Sequence, residues 1–157
     1  MKRRTVFVRI VCIAILLLCC YLQFGREMEV YNSTSFTAAN YCEEHLNVVV
    51  NRLIVLDKRK VAEEIIEHCR NNDFKNVIFS YDLTYPNKLE VNVYLSKKDA
   101  RGGNGVFSFD YDTEQGQIGE YNFIENPEKF MLKMKSVVFN AGIGEQEYNT
   151  YKNLFLL

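Results

Sequence analysis

Proline is scarce in this chain (2 residues) and glycine modest (8), while 48% of residues are hydrophobic, 13% aromatic and 25% charged. That balance excludes collagen-like, low-complexity and disordered proteins. Acidic charge is missing from the start of the chain: none precedes Glu27, whereas Lys2, Arg3, Arg4 and Arg9 fall in the first nine positions. Residues 26–157 then carry 15 basic and 20 acidic groups, a net charge of −5. Such a domain repels phosphate backbones and shows no Lys/Arg stripe, so nucleic acid is not an expected partner. At 157 residues the chain has the length of one domain, enough to bury about two-thirds of its unfolded surface.

Catalytic constellations are also lacking. Histidine occurs only at His45 and His68, and Ser80, Ser96, Ser108 and Ser136 stand in ordinary strand or helix contexts without a nucleophile-elbow motif. Each histidine neighbours a cysteine. The Cys42-x-x-His45 spacing suits zinc on a turn or helix, but His68 and Cys69 point about 100° apart on a helix and cannot easily share a metal. Asp110, Asp112 and Glu114 look like the start of a calcium loop, yet Gln115 and Tyr121 stand where that loop needs Gly and Glu. Gly102-Gly103-Asn104-Gly105 precedes a strand and reads as a turn, because phosphate loops open a helix. No metal or cofactor set is assigned, and a non-enzyme is expected.

What is present is concentrated at the N-terminus. Ile10–Leu22 holds 13 residues without a charge, and Val6–Val8 extends the run across Arg9. As one helix, Val6–Phe24 would span about 28 Å, close to the roughly 30 Å hydrocarbon core if Arg9 snorkels. Residues 1–25 therefore read as a membrane anchor or signal segment, with membrane contact through residues 6–24. The exit Cys20-Tyr21-Leu22-Gln23-Phe24-Gly25 offers a signal peptidase few small residues, which favours an uncleaved anchor. A lipid attachment at Cys19 or Cys20 fits poorly, because Leu18 and Cys19 precede them. The basic residues before the span place the N-terminus in the cytoplasm and residues 26–157 outside it. There Cys42 and Cys69 either pair, closing a loop of roughly 27 residues worth about 3 kcal/mol, or stay as free buried thiols.

Residues 26–36 read as a spacer and 37–157 as a single extracytoplasmic α+β domain. Spacing predicts a helix over 37–46, a strand over 48–56, and an amphipathic helix over 58–71 with Val61, Ala62, Ile65, Ile66 and Cys69 on one side. Strands follow at 77–81, at 89–95 with Leu89, Val91, Val93 and Leu95 inward, and from Val106 to Tyr111. A fourth strand of the meander that starts at 77–81 is expected at 120–124. Asn126-Pro127 predicts a helix start, with Phe130, Met131, Met134 and Val138 on its apolar side, and 145–157 predicts a short docking helix. The sum is a small antiparallel sheet of three to five strands with helices packed on one face. Tyr81, Tyr85, Tyr94, Tyr111 and Tyr121 cluster near the hairpins as a candidate binding face. The expected function is a membrane-tethered module that binds a protein or envelope component. A secreted or lipid-anchored carrier of a small ligand is the alternative, and a metal-assisted hydrolase the least favoured.

Overall fold

The computed structural model describes residues 2–38, 41–81, 85–113 and 120–135. The apolar N-terminal run forms one helix, α1 (Lys2–Phe24), whose Val6–Phe24 stretch has a mean hydropathy of 2.5 and is long and apolar enough to cross a membrane. Beyond it come β1 (Glu29–Ala38), β2 (Tyr41–Val49), α2 (Lys58–Asn71), β3 (Lys88–Tyr94), α3 (Lys97–Arg101), β4 (Phe107–Thr113) and β5 (Phe130–Lys135). The five strands form one sheet in the order β1-β2-β3-β4-β5. All neighbours are antiparallel except β2 and β3, which run parallel because the α2 crossover returns the chain to the same end. The architecture is α+β with a mixed sheet, where an antiparallel one is expected from the sequence.

Period-two alternation decides what each strand buries. Leu46 and Val48 of β2, Leu89, Val91 and Val93 of β3, and Phe107 and Phe109 of β4 form one core with the Val61, Ala62, Ile65, Ile66 and Cys69 stripe of α2. Asp57 caps α2 by accepting from the Lys60 amide at 3.0 Å, and Asn72 ends it in the left-handed region at φ 54°. Helix 58–71 and the strands at 89–95 and 106–111 thus form where periodicity places them.

Other segments differ. Residues 26–36 are no spacer, because Glu29–Ala38 pairs along the whole of β2 as the sheet's edge. The expected helix 37–46 is the end of β1 and most of β2, and the expected strand 48–56 stops at Val49. Residues 77–81 run alongside the sheet without joining it, since β3 takes β2 and β4 as neighbours. Residues 120–124 are turn and coil, and Asn126-Pro127 opens only a single 3-10 turn before β5. There Phe130, Leu132 and Met134 share the side of Tyr111 and Phe109, while Lys133 and Lys135 share that of Asp110 and Ser108. The tail 145–157 and Val138 lie outside the described residues.

Candidate functional site

The sheet face opposite α2 is a lattice of charge. Glu43 and His45 of β2, Lys88 and Glu90 of β3, Asp110 and Asp112 of β4, and Lys133 and Lys135 of β5 point to it. Lys88 pairs with Glu43 and lies 3.6 Å from Glu90, and Lys135 bridges Glu90 at 2.9 Å and Asp110 at 2.8 Å. Burial pushes the Glu90 carboxyl up, but the hydrogen bond from Lys135 and the charges of Lys135 and Lys88 outweigh it and hold it below its ordinary range. Donor atoms of Glu43, His45 and Glu90 fall within 4.8 Å of one another, as in a cation site. Lys88 already occupies the space between the two carboxylates, so the cluster is an ion-pair lattice first. Sequence reasoning missed it because its members come from four strands and touch only through the sheet register.

The other face holds a cleft of about 320 Å³ beside the sheet's edge. Ser33, Ser35 and Thr37 of β1 stand opposite Leu46, Glu44 and Cys42 of β2, and Ile78, Phe79, Ser80, Tyr81 and Pro86 close the far wall. No residue of α2 lines this corner, where the strand positions carry hydroxyls and a carboxylate. Ser35 donates to Glu44 Oε2, and Thr37 Oγ1 lies 3.6 Å from Cys42 Sγ. Tyr81 Oη donates to the Cys69 carbonyl at 2.8 Å, and its ring stacks on Phe79 at 5.5 Å.

The wall is fastened by the helix cap. Asn72 accepts from the Phe79 amide and donates to the Phe79 carbonyl, both at 2.8 Å, from a backbone conformation that asparagine tolerates better than most residues. Asn72→Ala is expected to lower stability by about 2 kcal/mol, from the strained backbone and two lost bonds. Asn72→Gly keeps the backbone and recovers part of that loss. A chemical-denaturation series in which the two variants match would contradict this account.

Glu44 is only 7% exposed. Burial pushes its carboxyl above the usual range, and the Ser35 hydrogen bond and the His45 charge offset only part of that. The folded state therefore holds this proton more tightly than the unfolded chain, so stability falls as pH rises from the unfolded carboxylate's pKa through the folded one. Glu44→Gln is expected to raise the melting temperature at pH 7, with the advantage shrinking below about pH 4, near an unperturbed Glu. An equal difference at both pH values would mean that Glu44 is not penalised by burial.

The five tyrosines do not form one surface. Tyr94 lies on the charged side of β3, with its hydroxyl 3.4 Å from Asn47 Oδ1, whereas Tyr111 lies on the core side of β4 and donates to the Pro127 carbonyl at 3.1 Å. Tyr81 and Tyr111 meet through Phe123, with centroids 6.5 and 6.0 Å from it. Tyr85 is exposed on a loop, and Tyr121 carries Lys129 over its ring at 5.7 Å. Of the five, only Tyr81 lines the cleft. Cys42 and Cys69 are both buried and both free. Cys42 and His45 occupy opposite faces of β2, because three residues along a strand reverse the side. They cannot serve one metal, and that basis for a hydrolase falls away.

The chain matches no family model, no curated protein and no solved structure.

Proposed function

We propose that this protein is a single-pass membrane-anchored binding module, with its N-terminus in the cytoplasm and its sheet domain outside. It captures an extended segment of a partner polypeptide, which adds to the outer edge of β1. The edge itself carries this reading. Tyr31–Ala38 is exposed throughout, and after Glu29 the strand has neither a charge nor a proline. Soluble sheets ordinarily blunt such an edge with lysine, proline or brevity, because a long bare edge templates further pairing. The strand's one irregularity, between Val30 and Asn32, lies at its start, where Asn76 binds the Val30 amide and carbonyl at 3.0 and 2.6 Å. Among the described residues, no strand pairs with the far side of β1. An added strand would gain main-chain hydrogen bonds from this edge, and its alternate side chains would enter the cleft under Ser33, Ser35 and Thr37.

The apolar length of α1 and the four basic residues in the first nine positions support the anchor and its orientation. Gln23 supports retention of the helix, because its side chain makes three hydrogen bonds to residues 53 and 54 of the domain. Photo-crosslinking groups at Thr34 and Phe36, with one at Glu63 on α2 for comparison, test the reading in the native membrane. The two edge positions should trap one partner through one extended segment. That segment, made as a peptide, should protect alternate amides of residues 31–38 from hydrogen exchange. Crosslinks equal from Glu63, or protection without alternation, would reject strand addition.

A further inference from the structure

Among the described residues, the chain between β2 and α2 carries a cluster of exposed apolar side chains outside α1. Leu53 and Ile54 are each 52% exposed and Leu56 is 83% exposed, while Val55 between them packs against the core. A four-residue apolar turn with three side chains outward is costly in water unless something covers it.

The helix next to it identifies the cover. Gln23, in the last turn of α1, donates from Nε2 to the Ile54 carbonyl at 2.8 Å and accepts at Oε1 from the Leu53 and Ile54 amides, each at 3.2 Å. One turn later Arg26 donates to Asn51 Oδ1 at 3.0 Å, and Asn51 Nδ2 donates to the Glu27 carbonyl at 2.9 Å. Asn51 is buried and held at φ 54°, so the turn leaves β2 in a fixed direction toward the end of α1. Leu53, Ile54 and Leu56 are thereby tied to the level at which the apolar Val6–Phe24 stretch ends. If α1 spans a bilayer, that level is the boundary of acyl chains and headgroups. Lys58, Arg59 and Lys60 follow after Asp57 and are exposed, and Arg26, which donates to Asn51 before the turn, is exposed as well. Apolar side chains flanked by cations are the composition that favours an interfacial seat on anionic lipid.

We propose that residues 53–56 form a second membrane contact, an apolar loop seated in the headgroup boundary of the lipid bilayer around α1. Together with Gln23 and Asn51 it gives the domain a fixed tilt instead of leaving it to swing on a hinge, and so sets which way the β1 edge faces. This inference rests on the reading of α1 as a membrane span.

The chain has no tryptophan, so one introduced residue reports alone. Full-length protein carrying Leu56→Trp is reconstituted in phosphatidylcholine–phosphatidylglycerol vesicles with brominated acyl chains. Leu17→Trp reports the span, and Ile78→Trp, at a position 85% exposed and remote in sequence from the loop, reports water. The expected result is a blue shift and loss of emission for Leu17→Trp and Leu56→Trp, with Ile78→Trp unquenched. Quenching at Leu17→Trp but none at Leu56→Trp overturns the loop contact and leaves the anchor standing. No quenching at Leu17→Trp overturns the anchor, and the loop contact with it. Equal quenching of Leu56→Trp and Ile78→Trp also overturns the proposal, since the whole domain would then lie on the membrane.

Discussion

Val91→Asp is expected to leave the full-length protein without a cooperative melting transition. Val91 is fully buried in the middle strand, between Leu46 on β2 and Phe109 on β4, and belongs to the core that α2 covers. Among the described residues the core around a carboxylate there holds no cation, and the carboxylate's protonated form still leaves a polar group buried among hydrocarbon. The cost is several kcal/mol, against a total stability of about 5–15 kcal/mol for a domain of this kind. Near-ultraviolet circular dichroism, which reads the tyrosine environments, follows the loss even if α1 stays helical in detergent. The adjacent Asn92 supplies the contrast. It faces the other side of β3 and donates to Asn47 Oδ1 at 3.2 Å, so Asn92→Ala should cost about 1 kcal/mol and keep a sharp transition. Similar melts for Val91→Asp and Asn92→Ala would mean that the faces of β3 are assigned the wrong way round.

The parity behind that contrast is readable in the sequence of β3, where Leu89, Val91 and Val93 alternate with polar residues, and in the five-residue stripe of α2. Both elements bury one clean face, and periodicity reports burial. β1 buries almost nothing beyond Val30, so it carries no alternation to read and passes for a spacer. In β2 the inward positions are Cys42, Glu44, Leu46 and Val48. The charged Glu44 interrupts the apolar alternation, and the remaining Tyr41, Cys42 and Leu46 then fit a helical spacing instead. β5 is short and half-exposed, and the helix-start signal of Asn126-Pro127 is used up by one 3-10 turn.

The same residues explain why the candidate site is hard to see in advance. Glu44 hides its strand for the reason that it marks the cleft: an ionisable group stands where the pattern calls for an apolar one. The hydroxyls of Ser33, Ser35 and Thr37 look like linker composition until β1 is laid against β2, and Tyr81 joins them only because Asn72 fastens Phe79. Tyrosine count alone points elsewhere, because strand parity and loops scatter Tyr85, Tyr94, Tyr111 and Tyr121 away from Tyr81. The charged lattice on the opposite face depends on the registers that join β2, β3, β4 and β5, including the parallel β2–β3 pair, which no local pattern encodes.

Thr34→Lys with Phe36→Lys is expected to weaken capture of the partner segment by at least about tenfold, which corresponds to about 1.4 kcal/mol. Both side chains are exposed on the edge strand, in register with His45 and Glu43, so the domain itself should lose little stability. The ammonium group that Phe36→Lys introduces even gains an opposite charge, Glu43, across the strand pair. An incoming strand fares differently: it must lie beside both ammonium groups and desolvate them, which is how natural edges repel further pairing. Ser35→Ala separates the edge from the cleft, because it leaves the edge uncharged and removes the donor to Glu44. If the partner binds by strand addition, the paired lysines should act mainly on the whole segment's affinity. Ser35→Ala should act only on the preference for the side chain seated beneath it. Measuring peptide affinity against both variants by titration decides between them. Capture that survives the two lysines but is lost in Ser35→Ala would show that the partner inserts into the cleft alone, and the strand-addition reading would fail.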